Sequence, residues 1–235
     1  MQIPAGTFLD KENQTRRCPC VLLLDTSGSM AGEPIRALNM ALPQFRQAIA
    51  EDNTARNSIE LAIITFGGVP QVAQDWTDID HLALPVLGSS GGTPLGPALQ
   101  MGLDMIEARR QFYKQNAIGS YVPWVFILTD GAPDEGPELS AAVARAQQMQ
   151  QVATGGRSPK VIVYACSTNT DPKVMGRLKS ITERTYALSG MAFREVFLWL
   201  SASLRTISRA TLGTPTVLPA EPSQMTLSQA KVITP

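Results

Sequence analysis

Two uncharged apolar runs of strand length, Val21-Leu22-Leu23-Leu24 and Val125-Phe126-Ile127-Leu128, lead into the aspartates Asp25 and, past Thr129, Asp130. Short, continuous apolar runs of this kind suit strands covered on both faces, which is the environment of a parallel sheet between layers of helices. The residues after the first run fit that environment. Ile35, Leu38, Leu42, Phe45 and Ile49 recur at helical spacing, so a strand feeds a helix. Repetition of that unit implies right-handed crossovers. The expected class is α/β and doubly wound, with a mostly parallel central sheet, one antiparallel edge strand and helices on both faces.

The pattern predicts strands over residues 20–25, 59–66, 71–76, 124–130, 160–165 and 185–188. Gly67-Gly68-Val69-Pro70 makes the second and third of these a hairpin, the source of the antiparallel edge. Helices are expected over 94–114, 138–152, 172–180 and 193–209, in addition to the first, which carries Pro34 in its opening turn. Pro43 lies inside that first helix and is expected to bend it, because proline removes a backbone donor and crowds the preceding turn.

A length of 235 residues accommodates one large core. The expected division is an N-terminal extension over 1–17, the α/β domain over 18–209 and a C-terminal tail over 210–235. The tail is rich in Thr, Pro, Ser and Gln, and can pack as an extended arm. Twenty Lys and Arg balance twenty Asp and Glu, so no bulk field steers the chain toward nucleic acid or anionic lipid. No apolar run approaches the roughly 20 residues of a membrane helix, and the start lacks the basic-then-apolar pattern of a secretory signal. A cytoplasmic protein with no membrane or nucleic-acid partner is the expectation. Cys18, Cys20 and Cys166 are too few for a four-ligand zinc site and read as reduced thiols. Cys18-Pro19-Cys20 could form a redox pair, but its place at the mouth of a strand favours buried packing.

Ligands of doubly wound sheets sit beyond the carboxyl ends of the strands, where the strand order reverses. The first strand ends there on Asp25-Thr26-Ser27-Gly28-Ser29, a later one on Thr129-Asp130-Gly131, and Gly91-Gly92-Thr93-Pro94 opens a helix beside them. Two carboxylates and three hydroxyls form a set of hard oxygen donors that suits Mg2+ or Mn2+ rather than zinc. Asp25-x-Ser27-x-Ser29, then Thr93, then Asp130 resembles the metal-ion-dependent adhesion site of von Willebrand factor A (VWA) domains, over roughly residues 18–209. Leu24 to Met30 together with Gly91-Gly92-Thr93-Pro94-Leu95-Gly96 is most similar to the bacterial TerY-like tellurite-resistance branch. The resemblance implies that Ser27, Ser29 and Thr93 coordinate the ion directly, and that Asp25 and Asp130 do so directly or through water. It also implies a role in stress or tellurite resistance beside protein kinases and phosphatases.

Each loop has an ordinary alternative use: Asp25 and Ser27 can cap the first helix, and Asp130 can form a turn with Gly131. Five residues in order on three strand ends weigh toward the metal. An ion held largely by neutral hydroxyls keeps much of its charge and can accept a carboxylate from an Asp or Glu of a partner protein. The favoured reading is therefore a non-enzymatic interaction module, because the loops offer no general base or activated nucleophile.

The alternative is a Mg2+-dependent phosphatase or phosphotransferase using Asp25, although Ser27 stands where haloacid-dehalogenase-like enzymes carry a second aspartate. A dinucleotide fingerprint is missing after the first strand. Asp134 and Glu135 read as acids serving a helix start, Trp76 and Trp124 as packing, and Arg16-Arg17 and Arg109-Arg110 as solvated surface charge. His81, the sole histidine, has no nucleophile motif beside it.

Overall fold

The computed structural model describes residues 13, 15–151, 159–212 and 214–226, and the backbone of 232–233. The elements run β1 (Cys18–Asp25), α1 (Glu33–Ala50), α2 (Asn53–Ser58), β2 (Ile59–Phe66), β3 (Gln71–Asp78), α3 (Leu95–Gln115) and β4 (Trp124–Thr129). They continue α4 (Pro137–Gln150), β5 (Ile162–Ser167), α5 (Pro172–Ile181), β6 (Thr185–Leu188), α6 (Phe193–Ser208), β7 (Thr216–Val217), β8 (Met225–Thr226) and β9 (Val232–Ile233). Seven strands form one sheet in the order β3-β2-β1-β4-β5-β6-β8. The five inner strands are parallel, and β3 and β8 are antiparallel edges.

Alternation along β1 builds the two cores. Cys18, Cys20, Leu22 and Leu24 join the cluster under α1, α2 and α6, whereas Val21 and Leu23 join the one under α3, α4 and α5. Helices therefore cover both faces, which explains why all eight residues of β1 are buried. α1 runs unbroken through Pro43. An interior proline costs about 3 kcal/mol, but the helix buries Ile35, Leu38, Leu42, Phe45 and Ile49, each stabilising by roughly 1.5–3 kcal/mol. Packing of that face outweighs the lost bond.

The β2–β3 hairpin forms as expected, with register shifts between Leu61 and Ile64. The second antiparallel edge, β8, departs from the expectation of one. It comes from the expected tail, where Met225 is buried and Ser189 donates its backbone N–H to the Gln224 carbonyl at 3.0 Å. Trp199 Nε1 also donates to the Pro219 carbonyl at 3.0 Å. A two-residue strand is too short to show alternation, which is why the sequence reads as a tail there. The short helix α2 escaped for the same reason, although Asp52 caps it by accepting from Thr54 N and Ala55 N at 3.0 and 3.1 Å. Residue 152 of the helix expected over 138–152, residues 1–12 and 14 of the expected extension, and 213, 227–231 and 234–235 of the tail lie outside the described residues.

Two arginines expected in solvent are buried. Arg17 and Arg109 are each 3% exposed and flank Glu60, at 4%. Arg17 Nε lies 3.2 Å from Glu60 Oε1, while Arg109 donates to Oε2 from Nε at 2.9 Å and from Nη2 at 2.6 Å. The Tyr113 hydroxyl donates to the same oxygen. Adjacent arginines on α3 point differently, so the pair Arg109-Arg110 looked uniform in sequence while only Arg109 meets the carboxylate. Cys18, Cys20 and Cys166 are free, buried thiols. Burial, with the Glu60 charge adding to it, pushes Cys18 up to about 12.

Candidate functional site

The chain leaves β1 toward β2 on one side and later returns to β4 on the other, so the order reverses between β1 and β4. Their carboxyl ends form the crevice where such sheets take ligands. Asp25 is the last residue of β1, Asp130 follows β4, and Thr93 stands two residues before α3.

Backbone bonds lash the three loops together. Gly28 N donates to the Gly91 carbonyl at 2.9 Å, Ser90 N to that of Thr26 at 2.8 Å, and Asp134 N to that of Thr93 at 2.9 Å. The Gly68 N–H reaches the Gly92 carbonyl at 3.2 Å, tying in the hairpin turn. Gly91 makes this approach possible: its φ is +75°, and a Cβ there would stand 2.5 Å from Gly68 Cα. The site is thus built on main chain rather than on long side chains.

Within that frame the side chains form a continuous polar chain. Ser27 Oγ and Ser29 Oγ are 3.0 Å apart, and Ser29 Oγ donates to Asp130 Oδ1 at 2.7 Å. Thr93 reaches the same space. A methyl group on Gly131 would stand 3.4 Å from Ser29 Oγ and 3.6 Å from Thr93 Oγ1, so the absent side chain keeps a cradle open between two hydroxyls. The Thr93 residue is 7% exposed, and its hydroxyl carries no hydrogen bond to another described residue. One oxygen of Asp130 is likewise left without a protein donor.

Asp25 lies beneath this chain, fully buried, with both oxygens engaged: Oδ1 accepts from Ser27 N at 2.8 Å and Oδ2 from the Thr129 hydroxyl. Burial raises its carboxyl above the ordinary value. The donors from Ser27 and Thr129 oppose that shift, and the Asp130 charge adds to it. Thr129 is the functional residue that motif reasoning passed over. Its signal was a lone hydroxyl closing the apolar strand Trp124–Thr129.

The ordinary uses of these residues are not what they do here. Helix α1 starts behind Gly32 with no side-chain cap, and Ser27 makes no capping bond to the short 3-10 turn Gly28–Met30. Gly131 N bonds to Thr129 Oγ1 at 3.2 Å rather than to the Asp130 carboxylate. An orphaned hydroxyl, a half-free carboxylate and a glycine-walled cradle fit a small divalent cation with hard oxygen ligands. Among the described residues, no group of three or more His, Cys, Asp or Glu is placed to hold a metal, so a charge-rich cage is not the alternative.

The other candidates fall elsewhere. Asp134 is exposed and lies beside Gly92, where a Cβ would meet its Oδ2 at 2.9 Å. Glu135 pairs with Arg177 and, at 3.8 Å, with Lys173. Trp76 and Trp124 are core residues, the latter stacked on Tyr164 with centroids 4.9 Å apart. His81 Nδ1 sits 2.8 Å from Asp78 in the loop after β3. Among the described residues, no helix is long and apolar enough to cross a membrane.

Comparison with known proteins bears on the fold that carries this geometry. The model of the von Willebrand factor type A domain matches residues 20–133, a span holding all five oxygen-bearing candidates. The PilB minor pilin from Streptococcus sanguinis is similar at 13% identity, covering 82% of this chain and 62% of that one with a TM-score of 0.58. The ArnB paralog VWA2 from Sulfolobus acidocaldarius shares 13% identity over 80% of this chain and 45% of its own, with a TM-score of 0.52. Proximal thread matrix protein 1 from the mussel byssus shares 16% over 83% and 47%, with a TM-score of 0.53. The chain thus spans less than two thirds of the length of each. No curated protein matches the sequence. At such identities the likeness establishes fold alone, and the fold of this chain is like that of von Willebrand factor type A domains.

Proposed function

We propose that the chain is a non-enzymatic, metal-dependent protein-interaction module in which Ser27, Ser29, Thr93 and Asp130 hold Mg2+ or Mn2+ and Asp25 orients the loop that carries the serines. VWA domains are a family of interaction modules that are often metal-dependent, and the match over residues 20–133 supports the same use here. The observation that carries the reading is the Thr93 hydroxyl, enclosed beside Ser29 and Gly131 yet without a protein partner. The hydroxyl oxygen is open to solvent on that side, and an ion at this point would take up lone pairs that no described residue claims. A bound ion, under-neutralised by hydroxyl ligands, would supply attraction for an Asp or Glu of a partner protein.

The alternative reading, a phosphatase or phosphotransferase with Asp25 as nucleophile, is disfavoured by the burial of Asp25 and by the donors occupying both its oxygens. A nucleophile needs an exposed lone pair. The TerY-like loop sequences support, as part of the same proposal, a cytoplasmic role in stress or tellurite resistance with a protein kinase or phosphatase as partner. Capture of partners on the immobilised chain in Mg2+ and in EDTA tests the interaction. The reading requires a retained protein that EDTA releases and that Thr93→Ala fails to hold; retention unaffected by both would place recognition on another surface. Phosphatase turnover abolished by Asp25→Asn would instead establish the enzyme.

A further inference from the structure

The opposite end of the sheet carries a second candidate, independent of the metal. A cleft of about 420 Å3 lies between the last turns of α3 and the segments entering β4 and β5, lined by Arg110, Gln111, Lys114, Ser120 and Lys160 with Glu107 at its side. Arg110 and Lys114 are one helical turn apart and share a face. Such like charges repel unless something is gained from their meeting.

The one acid lining the cleft does not neutralise them. Glu107 Oε2 bonds to Arg145 Nη2 at 2.7 Å, and Arg145 also meets Asp104 at 2.7 Å. Arg110, Lys114 and Lys160 form no ion pair with a described residue. Arg110 is half-buried there, and desolvation lowers its pKa despite the Glu107 charge. Attraction between Lys114 and the carboxyl end of α3 accounts for one cation, but not for Arg110 or for Lys160.

Neutral donors stand beside the cations, with Tyr113 and Ile118 forming the rest of the wall. The side chains of Gln111 and Ser120 make no hydrogen bond to described residues. The walls are fixed: Lys160 N donates to the Met149 carbonyl at 2.8 Å, Tyr121 N to that of Arg17 at 2.8 Å, and neighbouring Arg109 is anchored on Glu60. Arg16 stands close by, with Nη1 3.4 Å from the Ser120 carbonyl. A chain of zero net charge therefore gathers three cations without an ion pair to a described residue around one cleft.

We propose that this cleft binds a phosphate monoester dianion, with the Arg110 guanidinium and the Lys114 and Lys160 ammonium groups taking its charge and Gln111 and Ser120 donating to its remaining oxygens. A compact dianion with several acceptor oxygens matches three cations and two neutral donors better than a monovalent carboxylate does. The volume admits more than the phosphate alone, so both a free phosphate and one carried on a nucleotide fit the cleft.

Calorimetric titration of inorganic phosphate and of adenosine monophosphate into the full chain, at ionic strength held constant with sodium chloride, tests the proposal. Saturable binding of either probe is expected, weakened at least tenfold in Arg110→Gln and in Lys160→Ala. Lys179→Ala, at an exposed position of α5, should bind as the wild type does. Tighter binding of the nucleotide assigns the nucleotide as source, and equal binding assigns the free anion. Thermal melts confirm that each variant is folded, and either of the two cleft substitutions suffices should the other fail. Absence of saturable binding of both probes, or equal binding by the folded cleft variants and wild type, overturns the proposal.

Discussion

At the amino end of the sheet, Glu60 is buried with Arg17 on one oxygen and Arg109 and Tyr113 on the other. At the carboxyl end, Thr93 is nearly as buried, yet its hydroxyl meets no protein donor or acceptor, and one oxygen of Asp130 is equally unclaimed. Both ends contain buried polarity within the same two-layered core. The difference lies in closure. The Glu60 group is satisfied within the chain and serves stability, whereas the Ser27–Ser29–Asp130 chain ends on oxygens that no described residue claims, which the proposed ion would complete.

Substitutions should separate the two ends, the largest effect coming first. Glu60→Ala leaves two guanidiniums buried without their counter-charge, so urea unfolding should show a loss of about 3–5 kcal/mol. The Mn2+ affinity of the folded protein should be unchanged. Gly91→Ala forces a side chain into positive φ against Gly68 and is expected to cost up to about 3 kcal/mol. Unlike the first substitution, it should also weaken Mn2+ binding, because Gly91 ties the loop of Thr93 to that of Ser27.

Thr129→Val keeps the strand shape and removes a donor from Asp25, for about 2 kcal/mol in the same measurement. It should lower Mn2+ affinity modestly, through misplacement of the serine loop. Ser27→Ala/Ser29→Ala should cost only about 1 kcal/mol of stability while abolishing metal binding. Near neutral pH the smallest effect belongs to the thiols. Cys18 titrates at about 12 in the fold against an ordinary 9.0, so the folded state holds its proton more tightly. Its contribution to stability is present below about pH 9 and is lost as pH rises through that window toward 12. Native protein at pH 8 should accordingly show no reaction with a thiol reagent until it is unfolded.

The carboxyl end was easier to read from sequence than the amino end, for a physical reason. Asp25, Ser27 and Ser29 are fixed relative to one another by a single turn, and Thr93 and Asp130 sit at strand or helix ends that hydrophobic patterning locates. Short-range spacing therefore carries most of that geometry. The Glu60 network joins residues from before β1, the start of β2 and the end of α3. No local pattern distinguishes Arg109, which is buried, from Arg110, which lines the cleft. β8 and α2 were lost for want of length, because periodicity needs several residues before it differs from chance. Thr129 lay in plain view at the end of an apolar strand, but its role depends on the neighbouring strand β1 and only the sheet order reveals it.

Titration calorimetry of Mn2+ into the wild type and into Ser27→Ala/Ser29→Ala, with melts confirming that both are folded, decides whether the carboxyl end is a metal site. The hydroxyl-and-carboxylate arrangement requires one saturable site in the wild type and none in the double variant. Equal binding by the two proteins, or no binding by either, would contradict it.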